Sequence, residues 1–84
     1  MNNYSDIAKQ LEGYELIKNI MILRKMDIIQ YIRKDNGKFV NDKTIIYGDK
    51  KKKYLLLQGF NKNGKVLRYT VPLNDIIIFR KKDT

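Results

Sequence analysis

The chain of 84 residues is long enough for one small domain, residues 1–84, and its hydrophobic fraction of 43% excludes a disordered protein. It contains no Cys and no His, which excludes disulfides and thiolate or imidazole metal sites and gives no basis for a cofactor. Lys and Arg number 18 against nine Asp and Glu, and the net charge of +9 favours a polyanionic partner.

The charge is unevenly distributed along the chain. Residues 1–17 hold one basic and three acidic residues (net −2), whereas residues 18–84 hold 17 basic and six acidic residues (net +11). The longest apolar runs, 20–23 and 76–79, are far shorter than the roughly 20 residues of a membrane-spanning helix, and no secretory signal is visible. The sequence predicts a cytoplasmic protein without a membrane segment. Its richness in Lys, Asn and Ile is typical of an AT-rich bacterium or phage.

The N-terminal part of the chain favours helices. Residues 5–12 predict a short helix that ends at Gly13. A second helix is predicted over residues 15–34, ended by the Asp-Asn-Gly at 35–37, because apolar side chains recur at helical spacing. This stripe consists of Ile17, Ile20, Met21, Ile28, Tyr31 and Ile32.

The same stretch has a competing interpretation. Residues 15–24 and 27–34 can form two strands, with Asp-Asn-Gly at 35–37 as a hairpin turn. Strict alternation of apolar and polar residues is poor in both segments, so the helix is the favoured prediction.

The C-terminal half of the chain predicts an antiparallel sheet. Residues 44–47 form a short β-branched run, and residues 54–60 and 65–71 flank Asn63-Gly64, a strong hairpin signal. A last strand is predicted at residues 76–80, where the chain is apolar on both faces.

The assumed Asn63-Gly64 turn fixes which residues face each other in this hairpin. Phe60 then lies opposite Leu67, and Leu56 lies opposite Val71, on the face predicted to be the core. The other face is half apolar and is a candidate surface for a partner or a homodimer. Its apolar residues are Leu55, Leu57 and Val66.

The expected fold class is α+β, with one or two N-terminal helices followed by a three- to four-stranded antiparallel β-meander. The alternative is a small SH3-like or Sm-like β-barrel with an N-terminal helix. Catalysis is not expected, because His and Cys are absent, the carboxylates are dispersed, and the glycines are not followed by a phosphate-binding helix.

The lysine-rich segments have two interpretations. Lysines at the entry of a strand protect a sheet edge and stay solvated, or they bind phosphates. If strand 76–80 pairs with strand 65–71, its basic end lies beside the 62–65 turn, and the 50–53 run lies about 20 Å away at the other end of the sheet. The candidate nucleic-acid-binding residues are Lys50, Lys51, Lys52, Lys53, Lys62, Lys65, Arg68, Arg80, Lys81 and Lys82.

Aromatic side chains are the other candidates for contact with bases. Phe60, Tyr69 and Phe79 occupy positions expected in the core, which leaves Tyr47 and Tyr54 freer to stack. The sequence thus predicts a small basic nucleic-acid-binding protein, a regulatory or accessory factor, with DNA favoured over RNA. The alternative is a protein–protein interaction module, a small inhibitor or assembly subunit, whose lysines only solubilise it. Such a module would bind an acidic protein or a second copy of the chain.

Overall fold

A computed structural model describes residues 4–82 of the chain. The residues form one short α-helix, six strands and two 3-10 helices. In chain order these are α1 (Tyr4–Gln10), β1 (Tyr14–Leu16), a first 3-10 helix (Ile20–Ile22), β2 (Ile28–Arg33), β3 (Phe39–Asp49), β4 (Tyr54–Phe60), β5 (Val66–Pro72), a second 3-10 helix (Leu73–Asp75) and β6 (Ile76–Lys81).

All six strands belong to one antiparallel sheet in the order β1-β6-β2-β3-β4-β5. The long strand β3 pairs with β2 along its first half and with β4 along its second half, and the halves meet at Thr44. The sheet curls over itself, because the hydroxyl oxygens of Tyr31 in β2 and Tyr69 in β5 lie 2.8 Å apart although two strands separate them in the sheet.

The inner face of the curled sheet forms the hydrophobic core. Burial, together with the hydrogen bond shared with Tyr31, raises the pKa of the Tyr69 hydroxyl, so the Tyr69 hydroxyl stays neutral at ordinary pH. The buried residues are Ile17, Leu23, Ile29, Tyr31, Ile45, Leu55, Leu57, Val71, Leu73, Ile76 and Ile78.

The predicted helix over residues 15–34 is wrong. The segment instead contains the three-residue strand β1, the first 3-10 helix and the six-residue strand β2. The competing two-strand interpretation is correct for β2 and for the turn that follows it. The short helix predicted at residues 5–12 is present as α1, and Gly13 follows it with a φ of 80°.

The strand β2 was the less favoured of the two predictions because it is covered on both faces. Ile29 and Tyr31 point into the core and are 0% and 3% exposed. Gln30, on the opposite face, is also buried, and its Nε2 donates to the backbone oxygen of Gln10 in α1 at 2.6 Å. A strand buried on both faces lacks the alternation of apolar and polar residues that marks a strand. The two-residue period of β2 is therefore not visible in the sequence.

The predicted α+β class is therefore wrong, because the chain is mostly antiparallel sheet with one short helix. The alternative, a small barrel behind an N-terminal helix, is nearer to the structure in having a single helix ahead of an antiparallel sheet. The strands β4, β5 and β6 lie where the sequence places them, within one residue at either end.

The register of the β4–β5 hairpin differs from the prediction by one residue. Phe60 pairs with Val66 and Leu55 pairs with Val71, so the loop spans residues 61–65 and not Asn63-Gly64 alone. The Asn61 side-chain oxygen accepts hydrogen bonds at 2.9 Å from the backbone N–H groups of residues 63 and 65. A slip of one residue exchanges the two faces of a strand, so the face predicted to be a partner surface is the core.

Gly64 is the residue that this loop requires. Its φ is 79°, in the left-handed region, and an added Cβ would meet no atom within 4 Å. We expect Gly64→Ala to lower the free energy of unfolding by about 1–2 kcal/mol through backbone strain alone. Gly64→Asn is expected to lower it less, because Asn adopts this conformation more readily. Urea unfolding of the three proteins measures the difference, and equal stability of all three would contradict the loop geometry.

Candidate nucleic-acid interface

The ten predicted basic residues occupy three regions of the structure. Lys50–Lys53 form the turn between β3 and β4, while Lys62, Lys65 and Arg68 lie on the β4–β5 hairpin. Arg80–Lys82 lie at the end of β6. Their environments differ sharply, and the differences decide which of them are free for a ligand.

Lys50 and Arg80 hold the connection between β1 and β2. The Lys50 Nζ donates to the backbone oxygens of Met21 and Leu23 at 2.6 and 3.1 Å. The Arg80 Nη1 donates to the backbone oxygen of Ile22, which lies between them, at 3.1 Å. Three consecutive carbonyl groups, which a 3-10 helix leaves without backbone donors, are thus satisfied by two cationic side chains.

Arg80 is also neutralised by neighbouring carboxylates. Its guanidinium nitrogens lie 3.6 Å from oxygens of Glu15 and of Asp27, and its side chain is only 22% exposed. A phosphate would have to displace these contacts. Lys50 and Arg80 therefore have a structural role, because they stabilise the connection between β1 and β2. Their positions in the sequence, beside other basic residues, did not indicate this role.

We expect Arg80→Ala to destabilise the protein by about 1–3 kcal/mol, because a charge-assisted hydrogen bond and two partly shielded ion pairs are lost together. Arg80→Lys should recover part of this loss, since it keeps the charge but not the planar fork of donors. Thermal unfolding measures both variants. An Arg80→Ala protein as stable as the wild type would show that Arg80 is a free surface cation.

The predicted meeting of the β6 end with the hairpin turn is wrong. β6 pairs with β1 and β2, not with β5. Lys81 lies opposite Tyr14, and the Lys82 backbone N–H donates to the Gly13 oxygen at 2.8 Å. Lys81 and Lys82 thus belong to the β1 edge of the sheet, whereas the hairpin that carries Lys62 and Lys65 forms the β5 edge.

The outward side of β4 carries the clearest candidate surface. Leu55, Leu57 and Gly59 are buried beneath the strand, and the alternate residues face outward with their partners on β3 and β5. We call this surface the β4 face. Its outward residues are Tyr54, Leu56, Gln58 and Phe60 on β4, Tyr47 on β3, and Val66 and Arg68 on β5.

Aromatic side chains stand at both ends of the β4 face. Tyr47 and Tyr54 lie at one end, with ring centroids 6.3 Å apart and planes tilted by 55°. Phe60 lies at the other end and is 66% exposed, although the sequence places it in the core. Tyr47 is also exposed and Tyr54 is half-buried, so Tyr47 and Phe60 offer most of the flat apolar surface to a ligand.

Lysines flank the aromatic residues at each end of the β4 face. Lys51, Lys52 and Lys53 precede β4, and Lys62 and Lys65 follow it, so about 20–25 Å separates the two groups at the usual strand rise. Arg68 lies between them, and its Nε donates to the Gln58 side-chain oxygen at 2.8 Å. The two lysine groups therefore lie at opposite ends of β4, as the sequence predicted.

The β3–β4 turn is a fixed structure. The Asp49 Oδ1 accepts hydrogen bonds from the backbone N–H groups of Lys51 and Lys52 at 3.1 and 2.9 Å. The Lys53 oxygen accepts from the Leu73 N–H at 2.8 Å, with Lys53 at a φ of 59°. A shallow groove of about 430 Å³ opens beside this turn, lined by Lys52, Lys53, Tyr54, Thr70, Val71 and Pro72.

Phe60 is the main surface residue that the sequence did not reveal. The error follows from the assumed two-residue turn, which placed Phe60 opposite Leu67 and not opposite Val66. The run Asn61-Lys62-Asn63-Gly64 contains the signal for the correct loop. The Asn61 N–H donates to the Lys65 oxygen at 2.9 Å, so the tip of the loop is residues 62–64 with the left-handed Gly64 at its end. Such a tip is common in hairpins, and it turns Phe60 outward.

Asp and Glu are dispersed over the described part of the chain, where no three of them gather into a site that could hold a metal ion. Residues 4–82 also contain no helix with both the length and the apolar character needed to cross a membrane.

Comparison of the chain with protein-family models, with curated proteins and with solved structures finds no match.

Proposed function

We propose that this protein binds single-stranded nucleic acid in the cytoplasm, along the β4 face. Lysines at both ends of the face and Arg68 between them contact phosphates, while bases stack on the exposed aromatic rings. The observation that carries the proposal is the placement of Tyr47, Tyr54 and Phe60 on one strand face between two lysine groups. Sequence-tolerant binding of single strands combines these two kinds of contact.

The preference for single strands follows from the shape of the β4 face. Stacking on a protein ring requires an unpaired base with a free face, which a duplex does not offer. Entry of a helix into a duplex groove has no support, because the predicted helix over residues 15–34 is absent. The helix α1 is seven residues long and packs near Gln30.

The electrostatics of the β4 face also support an anionic ligand. Lys51, Lys52 and Lys53 are exposed, as are Lys62 and Lys65. The carboxylate of Asp49, which lies opposite Tyr54, is occupied by backbone N–H groups of the turn. The net charge of +9 adds a long-range attraction to any polyanion.

The exposed apolar residues of the hairpin favour a second candidate function, a protein-interaction module. Phe60, Val66 and Leu67 are 66%, 53% and 45% exposed at the end of β4 and the start of β5. Leu55 and Leu57, which the sequence assigned to such a surface, are buried and take no part in it. In this alternative the apolar tip contacts an acidic protein and the lysines provide solubility.

A binding titration distinguishes the two functions. Fluorescence anisotropy is measured with labelled mixed-sequence strands of roughly 10 nucleotides, as single-stranded DNA, single-stranded RNA and duplex DNA, over a series of salt concentrations. We expect single strands to bind more tightly than duplex, with an affinity that falls as salt rises. No association of any of these strands at low salt would overturn the proposal, and equal binding of single strands and duplex would remove the role of the aromatic rings.

A further inference from the structure

A small pocket lies next to the β4 face, between residues 23–25 and the second half of β3. Its volume is about 220 Å³. The strand register of β3 against β4 shifts between Ile45 and Tyr47, which marks a bulge at this point. Bulges re-aim side chains and often accompany binding sites.

One wall of the pocket has a position without a side chain. Gly48 lines it, and a Cβ added to Gly48 would lie 2.9 Å from the Leu55 Cδ2 atom, which also lines it. The opposite wall is held in place by Lys50, whose Nζ bonds the Met21 and Leu23 oxygens. The pocket is therefore a fixed part of the fold, because one wall is a paired strand and the other is tied down by a charged side chain.

The pocket has an apolar floor and a cationic rim. Leu23, Ile45 and Leu55 line it and are 4%, 2% and 1% exposed. Arg24 and Lys25 line it at the surface and are exposed. Within residues 7–82 no carboxylate lies within 4.0 Å of the charged nitrogens of either side chain, which leaves both cations available to an anionic ligand.

We infer that this pocket binds one nucleotide of the bound strand, with the base against the apolar floor and the phosphate at Arg24 and Lys25. The inference rests on the proposed function and names the part of the ligand that the pocket takes. Drug-sized ligands occupy pockets of about 300–1,000 Å³, so a pocket of about 220 Å³ suits a single base. A base presents a flat apolar face attached to an anion, which matches the floor and the rim.

Tyr47 connects the pocket to the β4 face. It lines the pocket, it lies opposite Leu56 on the β4 face, and its ring stands 6.3 Å from that of Tyr54. A strand that lies along the β4 face and passes the two tyrosines thus reaches the pocket without leaving the protein surface. The pocket would mark one end of the path of the strand along the β4 face. It would also allow the protein to prefer one base over another.

The test is nuclear magnetic resonance of the ¹⁵N-labelled protein titrated with adenosine or uridine 5′-monophosphate, with the nucleoside alone and inorganic phosphate as separate arms. We expect the monophosphates to shift the amide signals of Leu23 and Gly48. We expect the nucleoside and the phosphate to act more weakly, because each makes half of the contacts. Shifts confined to Lys52, Lys53 and Tyr54 would overturn the inference.

The double variant Arg24→Gln/Lys25→Gln tests whether the cationic rim of the pocket binds the phosphate. It should weaken monophosphate binding by about tenfold or more, the effect of losing roughly one charged contact. The control Lys9→Gln/Lys38→Gln removes the same charge from α1 and from the β2–β3 turn, and it should leave monophosphate affinity within about twofold. Equal losses in the two variants would assign the binding to net charge and overturn the pocket.

Failure of the inference is distinguishable from failure of the proposed function. Oligonucleotides that bind the β4 face while monophosphates leave the Leu23 and Gly48 signals unmoved would overturn the pocket alone. Shifts at Leu23 and Gly48 without any oligonucleotide binding would support the pocket and overturn the proposed function.

Discussion

Replacing Lys52, Lys53, Lys62 and Lys65 together with glutamine is expected to weaken single-strand binding by roughly two to three orders of magnitude near 0.1 M salt. Each phosphate contact on a single strand contributes about 0.7 to the slope of log affinity against log salt, so four lost contacts flatten that slope by about 3 units. The four side chains are exposed, so the fold should be unchanged. Anisotropy titrations over a range of salt measure both quantities, and circular dichroism checks the fold.

The control removes the same charge elsewhere. Lys9, Lys18, Lys34 and Lys38 are exposed, on α1, before the first 3-10 helix and in the β2–β3 turn, away from β4. Their replacement with glutamine also lowers the net charge from +9 to about +5, but it removes no contact with a strand on the β4 face. A small change in slope is expected. Equal flattening in the two variants would mean that affinity depends on net charge alone, and the β4 face would then have no special role.

The aromatic residues provide an independent test of the same face. Phosphate contacts respond to salt, whereas stacking on Tyr47, Tyr54 and Phe60 depends on the bases and not on the counterions. The two contributions can therefore be separated within one set of titrations. The same titrations also bear on the second candidate function, the protein-interaction module. In that function Phe60 contacts a protein, and the lysines of the β4 face are equivalent to lysines elsewhere on the surface.

The C-terminal strands were predictable from the sequence because their signals are local. β4 is bounded by lysines and by a turn, and β6 is a short apolar run after Pro72 and the second 3-10 helix. β2 was predicted only as the alternative to a helix, because Ile29 and Gln30 are buried by different parts of the molecule on opposite faces. Apolar residues on both faces match a helical stripe as well as they match a strand.

The candidate site was predictable in its charges and not in its geometry. Lys51–Lys53 and the lysines of the hairpin stand at the two ends of β4, as the strand boundaries imply. The role of Arg80 depends on Ile22, Glu15 and Asp27, which lie far from it in the sequence, so no local pattern could separate it from a free surface cation. Long-range pairing decides which cations the fold itself uses.

Substitution of Leu57 distinguishes the observed register of the β4–β5 hairpin from the predicted register, which differs by one residue. In the structure Leu57 is 0% exposed and pairs with Ile45 and Tyr69. Leu57→Ala should lower the free energy of unfolding by about 2–5 kcal/mol, because burial is lost and a cavity remains. For a domain of this size that corresponds to a fall in Tm of about 10 °C or more.

Leu57→Lys sharpens the same test. A lysine at this position would bury an unpaired charge in a core whose total stability is about 5–15 kcal/mol, so we expect a protein without a cooperative thermal transition. Leu67→Ala is the control, because Leu67 is 45% exposed on the same hairpin, and a loss of about 1 kcal/mol or less is expected. If the face of Leu57 were instead a dimer surface, Leu57→Lys would give a folded monomer. Circular dichroism together with sedimentation equilibrium distinguishes that outcome, because a folded, monomeric Leu57→Lys protein is incompatible with a core that contains Leu57.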